Sequence, residues 1–459
     1  MLSLEKLKSI YSESPLLFKK IYAAIPWRYR MGKVYRETYA FLERSETWNA
    51  DEWHEYQTEE LKRLFYFCSK NIPYYQSLFK HHNVDPCAKD IWAEYAKLPY
   101  LSKDITRSEG ENIVASNIKK NGLYVATTGG TTGKPVAIKF DNSSYKSEWA
   151  YKVYLWNRAI GYTPQSKKAT FRGVDQLKGS LYVENPIYNE IRFSPFKLES
   201  ETDLKAVVAK LKTYRPEFLH GYPSAINQLV KHLKKENISL PSVKAIILIS
   251  ENIFTHQTDL FRTYFSCPVY SFYGLTERVV IASMDGDDSE YFLHPGYAVT
   301  DLVDDFGNIV NKSNVQGEIV STGFTNYGMP LIKYRTGDYA CYGNATSELW
   351  NMPSITEIRG RWKQEFLIGR DAEKVSIIAL NMHSNIFDKL KKMQLYQAVI
   401  GVVQLNIVKG PEFCHDDELK IYSAYKAKLG NNFDVTFKYF DQIPLTVSGK
   451  DQYFITELK

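Results

Sequence analysis

The segment Ala126-Thr127-Thr128-Gly129-Gly130-Thr131-Thr132-Gly133-Lys134-Pro135, entered from the apolar run Leu123-Tyr124-Val125, governs the reading of the whole chain. Its glycines allow tight turns and close approach of backbone N–H groups to a ligand, and its threonine hydroxyls add short donors. Together these suit a polyphosphate. A Walker-type loop has four residues between its glycines and a Ser or Thr after the lysine. Here three residues separate Gly129 from Gly133, and Pro135 follows Lys134, so the Walker reading fails. Taken alone, the segment also reads as an ordinary flexible loop. The rest of the chain has to decide.

A chain of 459 residues is long enough for two or three domains. With 44% hydrophobic and 24% charged residues it is a folding composition, which excludes a disordered protein. The net charge of +6 comes without a block of basic residues, which argues against nucleic acid as a partner and mildly favours small anions. Cys68, Cys87, Cys267, Cys341 and Cys414 are scattered and odd in number, without a C-x-x-C pair. That pattern argues against a disulfide framework and a local zinc site. No apolar run reaches the length of a membrane span, and the first residues lack the features of a signal peptide. A cytoplasmic location is expected.

The fold class expected is α/β: a large body with a β-rich part, over residues 1–359, and a small mobile α+β domain over 360–459. Residues 1 to about 100 read as amphipathic helices, with Leu16, Phe18, Ile21 and Tyr22 near Lys19, Lys20, Arg28, Arg30, Lys33 and Arg36. Such a stretch is either the solvated face of packed helices or a peripheral anchor on an anionic membrane. A second helix around Glu59 to Ser69 ends before Asn71-Ile72-Pro73-Tyr74-Tyr75, because Pro73 disfavours helix at Ile72. Val136 to Phe140 alternates as a strand, and Ser143 to Ile160 is long enough for a helix. From Leu204 onward strand and helix alternate, with helices to Tyr214, from Pro223 to Lys235 and from Thr255 to Phe265 and strands at Glu217 to His220, Val243 to Ile249 and Val269 to Phe272, as in layers around a largely parallel sheet. Past Gly274 the pattern turns to short strands, including Gly317 to Ser321 and Leu331 to Tyr334.

Four later segments bear on chemistry. Ser271-Phe272-Tyr273-Gly274-Leu275-Thr276-Glu277-Arg278 follows an expected buried strand, where α/β sheets bind ligands. Its tyrosine suits a base, its threonine a phosphate oxygen and its carboxylate a Mg2+ ion. Thr276-Glu277 also reads as a plain helix start. Tyr334-Arg335-Thr336-Gly337-Asp338 offers a carboxylate for two ribose hydroxyls, or only a tight turn. Arg359-Gly360-Arg361-Trp362 supplies an arginine and a hinge glycine, and Pro444 to Lys450 ends in a lysine on a Pro- and Gly-shaped loop. A lysine so placed can neutralise the repulsion between a carboxylate and a phosphate.

In order and spacing these segments resemble the adenylate-forming superfamily of acyl-CoA synthetases, and within it the phenylacetate-CoA ligase-like branch and its CapK-like members. Asn71 to Tyr75, His220-Gly221-Tyr222-Pro223-Ser224, His294-Pro295-Gly296-Tyr297, Met329 to Tyr334 and Gly449-Lys450 extend the resemblance over nearly the whole chain. It implies that Thr127, Thr128, Gly129, Gly130, Thr131, Thr132, Gly133 and Lys134 close over the β- and γ-phosphates of ATP. Ser250, Glu251 and Asn252 would line the adenine side, with Tyr273 and Gly274 beside it. Thr276 would bind the α-phosphate and the substrate carboxylate, Glu277 would position Mg2+, and Asp338 with Arg361 would hold the ribose. Lys450 would stabilise the transition state. Two departures stand out: Thr128-Gly129 where Ser-Ser is common, and Lys363-Gln364-Glu365 where many relatives carry an acidic hinge pair. The second leaves adenylation intact as an expectation and puts the following half-reaction in question.

The function expected is an ATP-dependent ligase that adenylates a small carboxylate and passes the acyl group to an amino sugar, an amino compound or CoA, in surface-polysaccharide biosynthesis. A CoA ligase of the phenylacetate type and a non-catalytic nucleotide-binding scaffold are the alternatives. Three charges kept at family intervals, Glu277, Asp338 and Lys450, weigh against the scaffold.

Overall fold

A computed structural model of the chain describes residues 14–119, 122–127, 136–172, 180–251, 253–284, 290–346, 350–359, 366–371, 374–380, 385–387, 389–446 and 452–458. The chain divides into two compact units, Met1–Pro164 with Ser271–Arg361, and Gln165–Tyr270 with Trp362–Lys459.

In the first unit the helix Ala50–Asn71 starts on a capping box. The Asn49 side chain accepts from the Asp51 and Glu52 amides, and Glu52 accepts from the Asn49 amide at 2.8 Å. It stops where Ile72 turns extended ahead of Pro73, and Pro73 then opens the helix Pro73–His81 at the one position where its missing N–H costs nothing. This second helix sinks Tyr75 into the core, 1% exposed. The Tyr75 hydroxyl donates to the Pro330 carbonyl at 3.1 Å and accepts from the Ile332 amide at 3.0 Å, joining two distant sequence segments. Leu101 continues the join, donating to the Lys333 carbonyl and accepting from the Arg335 amide, each at 2.9 Å. The helical segment thereby fixes the entry to the strand Tyr334–Thr346.

The sheet of this unit runs Ala298–Val303, Gln316–Gly323, Tyr334–Thr346, Pro353–Arg359, Tyr291–Leu293, Ile281–Met284 and Val269–Gly274, antiparallel at each pairing. The expected β-rich part is therefore present, with two corrections. Leu331 to Lys333 is not strand: Lys333 adopts φ +49, and the strand begins at Tyr334. Thr276-Glu277 starts no helix; it lies in a turn closed by the Arg278 amide on the Leu275 carbonyl at 3.1 Å. Leu123–Thr127 and Ala137–Asp141 form a separate hairpin whose register brings Thr127 opposite Ala137. A Walker loop opens a helix. The segment between these strands instead returns into a strand, independently of its glycine spacing.

The second unit carries the parallel strands Glu190–Phe193, Lys168–Phe171, Phe218–Gly221 and Ala245–Leu248, with Tyr182–Asn185 antiparallel at the edge. The helices Glu201–Tyr214, Pro223–Lys235 and Thr255–Phe265 follow the expected alternation. Among the later described residues of this unit, Phe366–Ile368 pairs antiparallel with Lys374–Ser376, and the hairpin Leu390–Val399 and Val402–Lys409 is flanked in parallel by Phe454–Thr456 and Asp434–Tyr439, with a core shared by the helix His415–Leu429. Lys231 donates to the Phe387 and Leu390 carbonyls at 2.9 Å each, tying this part to the helix Pro223–Lys235. Among the described residues no helix is long and apolar enough to cross a membrane.

Gly221 ends its strand against Phe171, where an added Cβ would lie 2.3 Å from the Phe171 carbonyl oxygen, itself accepting from the Tyr222 amide at 3.1 Å. A methyl there must push main chain rather than a side chain. Gly221→Ala is expected to cost about 2 kcal/mol or more. Urea unfolding followed by circular dichroism should show a lowered midpoint.

Candidate active site

The turn after Val269–Gly274 carries Thr276 and Glu277. Thr276 is exposed, whereas Glu277 is only 3% exposed. A carboxylate at that depth needs partners. The Tyr334 hydroxyl donates to Glu277 Oε1 at 3.0 Å, and Lys103 Nζ lies 3.5 Å from the same oxygen. Lys103 also donates to the Thr336 carbonyl and sits 5.8 Å from the centre of the Tyr334 ring. Burial raises the Glu277 pKa above the usual carboxylate value, and the bonds from its own backbone and from Tyr334 pull it part of the way back. Burial and the neighbouring Glu277 together push the Tyr334 phenol far up, so it remains a donor.

Asp338 is built into the same strand as Tyr334. Gly337 adopts φ +77, a left-handed conformation that suits glycine, and its amide donates to Glu318 Oε1 at 2.9 Å. The pairing register shifts between Glu318 and Val320, as at a bulge that re-aims a side chain. The buried Thr336 hydroxyl donates to the Ile319 carbonyl at 2.7 Å and accepts from the Asp338 amide at 3.0 Å. Asp338 Oδ2 then accepts from the Tyr273 hydroxyl at 2.8 Å. The result is reciprocal. Tyr273 and Glu277 lie on one segment, Tyr334 and Asp338 on the other, and each tyrosine donates to the carboxylate of the opposite segment.

In the second unit Ser250 is exposed at φ +65 just beyond the strand Ala245–Leu248. Glu251 caps the helix Pro223–Lys235, accepting from the Ser224 amide and hydroxyl at 3.1 Å each. The strand register places Lys168, Thr170, Glu190, Arg192 and His220 on one sheet face. Glu190 accepts from Thr170 at 2.6 Å and from Arg192 at 2.9 Å, with Lys168 at 3.9 Å. Burial works to raise the Glu190 pKa, but Lys168 and Arg192 outweigh it and hold the group below the usual value.

Of the residues expected from sequence, Tyr273, Gly274, Thr276, Glu277 and Asp338 fall in the first unit, and two hydroxyl bonds interlock their segment with the Tyr334 strand. Thr127 ends its hairpin strand, exposed. Thr128 to Lys134, Asn252, Arg361 and Lys450 lie outside the described residues. Lys103 and the pairing role of Tyr334 were missed. Lys103 follows Ser102, which caps the helix Lys103–Glu109, its hydroxyl accepting from the Ile105 amide at 3.1 Å. The available signal was the repeated spacing of a tyrosine four residues before a carboxylate. Among the described residues no three His, Cys, Asp or Glu side chains cluster as a metal site. A Mg2+ ion shared with phosphates needs only one or two protein carboxylates, which Glu277 fits.

Residues 75–327 match the AMP-binding enzyme family. The chain belongs to that family. Residues 367–457 match the CapK C-terminal domain. The chain is 23% identical to Protein CapK of Staphylococcus aureus, over 99% of this chain and 100% of that one. It is 21% identical to a phenylacetate-coenzyme A ligase of Pseudomonas putida, over 65% of this chain and 69% of that enzyme. Among solved structures it resembles 2-hydroxyisobutyryl-CoA ligase in the postadenylation state with R3-HIB-AMP, with TM-score 0.72 at 15% identity, covering 90% of this chain and 92% of that one. The same ligase in the thioesterification state gives TM-score 0.58 at 17% identity, covering 90% and 91%. These structural likenesses establish the fold of adenylate-forming ligases. As a member of the AMP-binding family near CapK, the chain is an ATP-dependent, AMP-forming ligase.

Removing the Tyr334 hydroxyl takes one donor from the ionised form of Glu277, whose pKa is already raised. Activity that needs the carboxylate is lost as pH falls through that pKa, so the loss should begin at higher pH in Tyr334→Phe. A displacement of about one pH unit is expected for one charged hydrogen bond. A pyrophosphate-release pH profile of the two proteins measures it, and coincident acid limbs would show that Glu277 does not set the limb.

Proposed function

We propose that this ligase adenylates a small carboxylic acid and then transfers the acyl group to an amine, hydroxyl or thiol acceptor, in the assembly of a surface or capsular polysaccharide. The observation that carries the proposal is the reciprocal pairing of Tyr273 with Asp338 and Tyr334 with Glu277. It sets a ring suited to a base next to a carboxylate suited to ribose, and holds a second, desolvated carboxylate on the next turn of the same segment. Asp338 accepts the two ribose hydroxyls, assisted by Arg361, and Tyr273 with Gly274 borders the adenine, as do Ser250, Glu251 and Asn252. Thr276, exposed beside Glu277, reaches the α-phosphate and the substrate carboxylate.

The chemistry balances in two steps. A carboxylate oxygen attacks the α-phosphorus, the bond to the β-phosphate breaks, and pyrophosphate leaves an acyl-adenylate. The acceptor then attacks the acyl carbon and AMP leaves. Thr127 to Lys134 hold the departing pyrophosphate, and Lys450 offsets the negative charge gathered during attack. A Mg2+ ion on Glu277 would add further charge neutralisation at the phosphates. The residues 360–459 act as the mobile lid that delivers Lys450. Turning that lid has to release the Lys231 bonds to Phe387 and Leu390.

CoA as acceptor is supported by the phenylacetate-coenzyme A ligase relatives. An amino sugar or another amino compound is the alternative acceptor. A panel of carboxylic acids is expected to contain at least one that drives pyrophosphate release from ATP, and Lys450→Ala should slow it about a thousandfold without unfolding the protein. ATP binding with no carboxylate-dependent release across the panel, or full activity of Lys450→Ala, would contradict the proposal.

A further inference from the structure

The helix Leu16–Ala24 buries none of its residues. Leu17, Phe18 and Ile21 are 67%, 64% and 60% exposed, and Leu16, Tyr22 and Ile25 are also open to solvent. A nine-residue helix is marginal in water by propensity alone, and helices of this length ordinarily persist because an apolar face is packed. At 3.6 residues per turn, Leu17, Phe18, Ile21, Tyr22 and Ile25 fall within one arc of roughly 140°, with Lys19 and Lys20 on the other side. Among the described residues, none covers the apolar face of this helix.

Between Glu13 and Glu37 the chain carries one sign of charge. From Ser14 to Arg36 the chain has Lys19, Lys20, Arg28, Arg30, Lys33 and Arg36 and no acidic residue. Lys33 pairs at 3.4 Å with Glu37, just beyond this stretch, and the Arg30 guanidinium lies 5.7 Å from the Tyr22 ring centre. The connection to the body is firm. Pro26 separates the exposed helix from the helical segment Trp27–Arg44, which is broken at Gly32 (φ +78) and whose first residue, Trp27, is 4% exposed and packs edge-on against Trp149 at 5.4 Å. Tyr39 makes a similar contact with Tyr154 at 4.9 Å. The exposed segment is thus a short apolar finger with a basic collar, mounted on a packed helix.

We propose that Leu16–Ala24 is an interfacial anchor that lays Leu17, Phe18, Ile21 and Tyr22 into an anionic lipid bilayer while the flanking lysines and arginines meet the headgroups. The charge complementarity selects this occupant. A bilayer rich in acidic lipid accepts a basic collar at any rotational setting, whereas a protein groove would need acidic residues in matching register. One short helix with basic flanks gives reversible rather than permanent attachment, sensitive to salt and to the fraction of acidic lipid.

The test is co-sedimentation of the full chain with phosphatidylglycerol/phosphatidylcholine vesicles, compared with pure phosphatidylcholine. Binding to the acidic vesicles is expected to exceed binding to the neutral ones by about tenfold or more, and to fall in high salt. Leu17→Asp with Phe18→Asp, and separately Lys19→Glu with Lys20→Glu, should each weaken it by at least about tenfold. All four positions lie outside the catalytic machinery, so ATP-dependent activity in solution and the thermal midpoint should hold in both variants. No pelleting with acidic vesicles, or pelleting that survives both double substitutions, overturns the proposal. Self-association in sedimentation velocity that disappears in Leu17→Asp with Phe18→Asp, without vesicle binding by the parent, overturns it in favour of a contact between copies of this chain.

Discussion

Two buried or nearly buried carboxylates are held by two tyrosine hydroxyls, and the site depends on that exchange. Glu277 and Asp338 are 3% and 9% exposed. Leaving either without a donor would cost more than the roughly 1–3 kcal/mol of an unsatisfied neutral group, because the group is charged. Tyr273 and Tyr334 supply the donors crosswise, so neither segment reaches its place without the other. Lys103 adds to this at Glu277, pairing with Oε1 at 3.5 Å while also donating to the Thr336 carbonyl.

The crosswise pair is itself held from the N-terminal side. Tyr75 bonds Pro330 and Ile332, and Leu101 bonds Lys333 and Arg335, so the chain enters the Tyr334 strand along a line set by the helical segment. Lys333 at φ +49 and Gly337 at φ +77 bracket that entry. Residues that look like packing in the first hundred positions therefore decide where a carboxylate sits more than two hundred positions later. A polar group in the core, the Tyr75 hydroxyl, does this with direction that an apolar contact lacks.

Much of this was legible in the sequence where a local rule applies. Pro73 and Pro223 mark boundaries through fixed backbone chemistry, and the helices Pro223–Lys235 and Thr255–Phe265 run between the residues expected. The Tyr334 to Asp338 segment was misplaced because the apolar run Leu331 to Tyr334 looks like a strand by composition. Its backbone is diverted at Lys333 by contacts with Thr322 and Leu98 that no local pattern contains. Thr276-Glu277 reads as a helix cap for the same reason: capping residues and turn residues share one chemistry, and only the neighbouring strand Ile281–Met284 settles the choice. Glu251, expected on the adenine side, also caps a helix that precedes it in sequence, through Ser224, a long-range contact that no local pattern contains. Crosswise hydrogen bonds need both partners' positions, which a single sequence does not list.

The central claim is that a carboxylate oxygen of the substrate attacks the α-phosphorus of ATP. The most direct measurement is mass spectrometry of AMP formed in a full turnover with a heavy-oxygen-labelled carboxylic acid. The account predicts one labelled oxygen in AMP and none in pyrophosphate. Label recovered in inorganic phosphate, or AMP without label, would contradict it.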